Sequence, residues 1–256
     1  MRKMIFPKKS LGQNFLIDKN IIHKIIDTVK IKGNDIIEIG PGVGALTDKI
    51  LKKNPKNLYL IEKDTILSKE LKIRLKDYKN VKIYNQDVLK FNFGNINKKN
   101  LIVFGNLPYN ISSQILIKLM KANYCNPRIN DLILMFQKEL GEKIIAKYPS
   151  KNYGRLSIIT NLLLDVKKKF FVSPNCFKPK PKITSILIHF KFKSKKLGNI
   201  KDLKNLEKIT NYLFNNKRKM INKKIKKILN KDEILKIKDI KLDMRPADIE
   251  PKIYYR

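Results

Sequence analysis

The sequence is short of the residues that build covalent or metal-bound frameworks. Its 256 residues hold two cysteines, Cys125 and Cys176, and two histidines, His23 and His189. Two cysteines exclude a disulfide scaffold or a cysteine-ligated zinc site and point to a reducing, cytoplasmic setting. His23 falls in a helical pattern and His189 in a strand pattern, so neither a metal site nor a Ser/His/Asp arrangement finds its residues. No stretch approaches the ~18 apolar residues of a membrane span. The basic start, residues 1–10, has only Met4, Ile5 and Phe6 as an apolar run, short of the ~7 to 15 residues of a signal-peptide core. Acidic residues are the other shortage: 22 Asp and Glu stand against 57 Lys and Arg, a net charge of +35.

What is present is a chain able to bury a core. Hydrophobic residues make up 43% of it, and its length suits one large domain or one domain with an appendage. The positive excess calls for a polyanion as partner. A composition biased toward Lys, Asn and Ile by an A+T-rich coding sequence accounts for the many lysines but not for the few acids. Nucleic acid is therefore favoured over drift and over a charged membrane surface. Residues 167–256 carry 27 basic and 8 acidic side chains, residues 1–166 carry 30 and 14, so the C-terminal third is the denser cation.

Hydrophobic periodicity organises the rest. Residues 20–30 place Ile21, Ile22, Ile25, Ile26 and Val29 on one helical face, with Gly33 as a stop. Short apolar runs then follow at 35–39, 57–61, 81–84, 101–104 and 132–136, separated by helix-compatible segments such as 65–78 and 112–122. Strands alternating with helices predict βαβ units around a parallel sheet. A further strand is expected over 183–192, after the proline-rich stretch 173–181. The polar segment 193–199 marks the expected boundary, giving an α/β domain over 1–195 and a smaller basic helical domain over 196–256. Within the latter, 201–214 and 217–229 read as helices, and 233–242 as a weaker candidate.

Two segments carry chemistry. Ile36-Ile37-Glu38-Ile39-Gly40-Pro41-Gly42-Val43-Gly44 runs from a strand into a glycine-rich turn that opens a helix near Ala45. Glycine there permits positive φ and close approach to a ligand, although NAD, FAD and S-adenosylmethionine sites, or a plain strand–helix turn, share that pattern. Glu62 and Asp87 end the next two strands, where ligands of open α/β sheets bind and where a carboxylate can accept ribose hydroxyls. A solvated loop charge is the alternative reading for either acid taken singly. The second segment, Gly105 through Ser112 (Gly-Asn-Leu-Pro-Tyr-Asn-Ile-Ser), leaves the fourth strand at the same edge. Pro108 holds Leu107 extended, so the Asn106 side-chain oxygen and a neighbouring carbonyl can face one point beside the flat ring of Tyr109. Paired acceptors beside an aromatic platform suit the exocyclic amine of a stacked base; a proline turn with a packed tyrosine is the plainer reading.

Those segments, together with Lys9 through Leu16, Gln137-Lys138-Glu139, Tyr153 through Ser157 and Phe177 through Lys182, resemble the KsgA family of ribosomal RNA adenine dimethyltransferases over essentially the whole chain. The resemblance implies a Rossmann-like class I S-adenosylmethionine-dependent methyltransferase domain with a mostly parallel seven-stranded sheet. It implies that Asn14, Leu16, Gly40, Glu62, Asp87 and Asn106 line the donor pocket, and that Asn106, Leu107, Pro108 and Tyr109 form the catalytic adenine-binding turn. Phe177 would be the second aromatic face around the base. The implied reaction dimethylates two adjacent adenines near the 3′ end of small-subunit rRNA, with no metal, on the immature small ribosomal subunit, and the enzyme is expected to be a monomer.

The basic segment from Asn216 to Ile228 interleaves lysines with Ile221, Ile225 and Ile228, the spacing of a helix docked by one face. Lys217, Arg218, Lys219, Lys223 and Lys224, with Lys178 and Lys180, are the expected RNA contacts. Lys217-Arg218 stands where the family usually has two arginines, keeping charge but losing one bidentate fork. Met244 through Asp248 also matches the family's C-terminal motif. Three rivals remain open at this level: a large-subunit rRNA adenine methyltransferase of the antibiotic-resistance type, a non-catalytic assembly factor, and an NAD dehydrogenase. Pro41 and Gly105-Asn106-Leu107 weigh against the first, the intact turn against the second, and Tyr109 with the charge against the third.

Overall fold

A computed structural model describes residues 8, 11–194, 203–237 and 239–255. Lys9 and Ser10 of the N-terminal motif, the expected division at 195/196 and the expected helix start at Lys201 lie outside them. The strands are β1 (Phe15–Leu16), β2 (Asp35–Ile39), β3 (Asn57–Glu62), β4 (Val81–Asn85), β5 (Leu101–Asn106), β6 (Ile129–Gln137), β7 (Leu164–Val172), β8 (Phe177–Lys178) and β9 (Ser185–Phe192). The helices are α1 (Lys19–Ile26), α2 (Ala45–Lys52), α3 (Thr65–Arg74), α4 (Ser112–Cys125), α5 (Lys138–Ile144), α6 (Arg155–Leu163), α7 (Leu203–Phe214), α8 (Asn222–Ile225), α9 (Lys231–Lys236) and α10 (Pro251–Tyr254).

Local chemistry sets these bounds. The Asp18 carboxylate accepts the Ile21 N–H at 2.9 Å and starts α1, which buries Ile22, Ile25 and Ile26. Asp64 starts α3 in the same way through the Ile66 N–H. The apolar runs of the sequence become β2 to β6, together with β9, of a seven-stranded sheet in the order β4-β3-β2-β5-β6-β9-β7. Neighbours β4 to β6 pair in parallel, and β9 joins β6 antiparallel with Ser185 opposite Gln137. This is the expected Rossmann-like sheet. Its core gathers Ile36, Leu58, Leu60, Phe104, Ile133 and Met135 with Ile22, Ile25 and Ile26 of α1.

Several elements have no counterpart in the sequence pattern, among them the short strands β1 and β8 and the helices α5 and α10; two are long. β7, with three successive lysines before Phe170, Phe171 and Val172, has no strand-length apolar run to announce it, and it forms one margin of the sheet. α6 is the other. A separate two-stranded ladder pairs β1 with β8, setting Leu16 opposite Phe177 and Phe15 opposite Lys178.

The chain resolves into two compact units that do not follow a single cut in sequence. The first runs through Gly141 and resumes over Val166–Phe192; the second combines Glu142–Asp165 with the described residues from Lys193 onward. Residues 142–165, expected in the N-terminal domain, thus belong with the C-terminal segment. Inside the second unit, Arg155 pairs with Glu207 at 3.1 Å and the Tyr255 hydroxyl donates to the Ile158 carbonyl at 2.7 Å. The long helix expected over 217–229 is reduced to the single turn α8: Ile221 and Ile225 are buried, but Ile228 is 39% exposed. With only two anchoring isoleucines the apolar stripe is too short to hold more helix, and Lys217-Arg218-Lys219 occupy the preceding turn.

Candidate active site

The carboxyl ends of β2, β3 and β5 open into one cleft of about 1120 Å³, counting its solvent-filled mouth. Asn14, Leu16, Gly40, Glu62, Asp87, Asn106, Leu107, Pro108 and Tyr109 all line it. Every expected donor-pocket and catalytic-turn residue is therefore brought to one place, as strand ends of an open α/β sheet require.

The glycine turn forms the floor. Gly40, Gly42 and Gly44 have φ of +66°, +57° and +84°, a region that side chains with a Cβ rarely occupy. At Gly42 a Cβ would also stand 3.0 Å from the Phe15 ring, so the missing side chain is what lets that ring close on the turn. Glu62 fixes the turn from the next strand: its carboxylate accepts the Gly42 N–H at 3.0 Å and the Asp64 N–H at 2.8 Å. Burial raises the Glu62 pKa against the lowering effect of those two amides. Asp87 differs. Its ion pair with Lys63 at 2.9 Å holds its carboxyl below the usual range, and its other oxygen caps the Leu89 N–H.

The sequence pattern does not single out Glu38 for a role. It is buried in the cleft wall, accepts a hydrogen bond from the Thr47 hydroxyl at 2.7 Å, and has its pKa pushed up to about 8, chiefly by desolvation. An acid one residue before the end of a glycine-turn strand is the available signal. Gln13 and Asp64 also escape a reading from sequence. Lys8 Nζ and Gln13 Nε2 meet Asp64 at 2.9 and 3.4 Å, tying the segment that enters the cleft to the N-terminus of α3.

The second wall is the turn after β5. The Asn106 amide nitrogen donates to the Asn14 carbonyl at 2.8 Å, which fixes the amide orientation and leaves Oδ1 as its acceptor. Gly105 is glycine because a Cβ there would fall 2.6 Å from the Leu107 side chain. The Tyr109 hydroxyl and the Ser185 hydroxyl lie 2.6 Å apart, and burial raises the tyrosine pKa, so it stays a neutral phenol. Ser185, from the far strand β9, has no signal in the local sequence around Tyr109.

Two expectations are corrected. Phe177 does not line the cleft: the β1–β8 register turns it, at 3% exposure, into the core with Leu16, Val172 and Cys176, and the ring of that ladder that reaches the cleft is Phe15. Lys224 is half-buried and its ammonium is spent on the Tyr212 and Leu213 carbonyls at 2.6 and 3.2 Å. Lys223 is exposed as expected, like Lys178, Lys180, Lys217, Arg218 and Lys219, but none of them lines the cleft.

The cleft suits a cationic nucleoside. Asp87, held ionised, would repel a dinucleotide's pyrophosphate, whereas ribose hydroxyls find acceptors there.

Comparison with known proteins agrees with this geometry. A family model described as "Ribosomal RNA adenine dimethylase" matches residues 6–255. The chain is 44% identical to the "Ribosomal RNA small subunit methyltransferase A" of Pelagibacter ubique, over 97% of this chain and 94% of that protein. It is similar in structure to a dimethyladenosine transferase from Plasmodium falciparum, with TM-score 0.75, 25% identity and 94% of each chain covered. The 23S rRNA methyltransferase ErmE shares the fold at TM-score 0.69 and 23% identity, over 94% of this chain and 96% of that one.

Proposed function

The chain belongs to the ribosomal RNA adenine dimethylase family, and on that premise we propose that the cleft moves methyl groups from S-adenosylmethionine to adenine N6 amines of small-subunit rRNA. The donor supplies an electrophilic methyl on a positively charged sulfur. Gly40 and Gly42 let its nucleoside approach the backbone, Glu62 accepts ribose hydroxyls, and Asp87 borders the base end.

One observation carries the reading: the Asn106 amide is locked by Asn14 so that an acceptor and the Tyr109 ring flank the donor cleft. An adenine amine is a weak nucleophile because its lone pair is delocalised into the ring. Asn106 Oδ1 and the Leu107 carbonyl, accepting both N–H bonds, favour a pyramidal nitrogen with its lone pair aimed at the methyl. Alignment is then the main source of rate. The neutral Tyr109 phenol serves as a stacking face, not as a base, and the amine proton leaves after transfer. Stacking worth ~1 to 3 kcal/mol helps offset the few kcal/mol needed to extrude the base.

Asn106→Ala tests this with immature small subunits and labelled donor, S-adenosylhomocysteine binding being measured in parallel. Turnover should fall by about 10²-fold or more, the scale for one positioned polar contact to a reacting group, with donor binding much less affected. Equal losses would make Asn106 a donor-binding residue. Labelling of large subunits in preference to small ones would overturn the substrate.

A further inference from the structure

The proposed chemistry uses nothing of β7, one of the two marginal strands of the sheet. Side chains alternate along a strand. Phe170 and Val172 turn to the core that also holds Leu16 and Cys176, and Lys24 Nζ lies 4.2 Å from the Phe170 ring centroid. The opposite face therefore presents Lys167, Lys169 and Phe171. All three are exposed, Phe171 at 56%. Lysines on an edge strand guard against edge-to-edge pairing, but an exposed aromatic ring among them works against that purpose.

Phe171 also has a definite position relative to the cleft. Lys138 Nζ stands 5.2 Å from its ring centroid, and the Lys138 N–H donates to the Thr184 carbonyl at 3.0 Å. The next residue, Ser185, holds the Tyr109 hydroxyl at 2.6 Å. The strip thus begins beside the support of the proposed base platform, and Lys169 and Lys167 lead away from it. A flat ring followed by cations is the pattern that single-stranded nucleic acid requires, a face for a base and charge for the backbone.

We propose that Phe171, Lys169 and Lys167, with Lys138, form the track for the single-stranded nucleotides flanking the target adenine. Phe171 stacks on a neighbouring base and the lysines take phosphates. This rests on the RNA-methylating reading of the cleft and adds where the rest of the substrate strand lies.

The test is fluorescence anisotropy with a labelled single-stranded RNA of about ten nucleotides containing two adjacent adenines, alongside methylation of small-subunit rRNA. Phe171→Ala should weaken RNA binding about tenfold and raise KM for rRNA, with kcat, melting temperature and S-adenosylhomocysteine affinity held. Phe171→Tyr should restore binding and Phe171→Leu should not. The Lys167→Ser/Lys169→Ser pair should lower the salt slope of binding by about 1.4, at roughly 0.7 per single-strand phosphate. Unchanged RNA affinity, rescue by leucine, or a loss confined to melting temperature would overturn the track. A wild-type protein that binds this RNA yet methylates no adenine would instead overturn the reading of the cleft, while anisotropy still decides the strip.

Discussion

At the scale of single residues, Glu38 gives the sharpest expectation, because it is a carboxyl almost wholly removed from water. Its pKa is pushed up to about 8 by burial, with the Thr47 hydroxyl working the other way. Between the ordinary carboxyl pKa and about 8 the folded chain binds more protons than the unfolded one, so stability falls as pH rises through that window. One such group contributes at most about 1.4 kcal/mol per pH unit. Glu38→Gln removes the titration at nearly constant shape. Its melting temperature should gain on the wild type steadily from about pH 5 to about pH 8, and parallel curves would disprove the assignment. Glu62 and Asp87 are legible in the sequence because strand ends place them by rule. Phe177 is misread there because its direction depends on a partner 161 positions away, Leu16, in a ladder of two residue pairs. Ser185 is invisible for the same reason: its meaning is a hydrogen bond with Tyr109 made through the β6–β9 pairing.

Elements are legible in proportion to how much of them is core. The runs that become β2, β3, β5 and β6 are largely buried, so their apolar pattern stands out; β4, at one margin, is only partly buried and keeps a shorter run, whereas β7, at the other, is hidden by its lysines. α8 errs the other way: spaced isoleucines suggest a helix of several turns, and only one turn finds a surface to bury against. The join between α3 and the N-terminal segment yields a prediction at this scale. Asp64 caps α3 with one oxygen and takes Lys8 and Gln13 on the other, and although burial raises its pKa, those bonds leave it lowered overall. Asp64→Ala should cost about 1 kcal/mol of stability through removal of the cap. Asp64→Asn keeps a cap but gives up the ion pair, which is half exposed on the lysine side and so worth little to stability. It should nonetheless loosen the segment carrying Gln13 and Asn14 and weaken S-adenosylhomocysteine binding roughly two- to fivefold. Denaturant titration and calorimetry on the two variants separate the effects; a donor affinity unaltered in Asp64→Asn would show that the tether does not shape the cleft.

For the molecule as a whole the dominant quantity is a net charge of +35, and of the explanations that composition leaves open, drift and nucleic acid are separable by salt. Drift in coding sequence would scatter lysines without regard to a partner, whereas an RNA-binding surface makes particular cations release counterions from phosphates. Salt dependence separates them. With roughly six to ten phosphates neutralised, rRNA affinity should fall by about 10³ to 10⁵ between roughly 50 and 200 mM salt, linearly on logarithmic axes. S-adenosylhomocysteine, which carries no phosphate, should bind almost evenly across that range. Lys217, Arg218 and Lys219 lie exposed in the turn before α8, so changing each to serine should leave folding intact and reduce the slope by about 1 for every phosphate left without its cation. Lys224 provides the internal control, since its ammonium is held by the carbonyls at the end of α7. Lys224→Ser should lower the melting temperature while the slope stays put. If Lys217, Arg218 and Lys219 behaved like Lys224, or if every surface lysine lowered the slope equally, the charge would be a property of composition and not of a site.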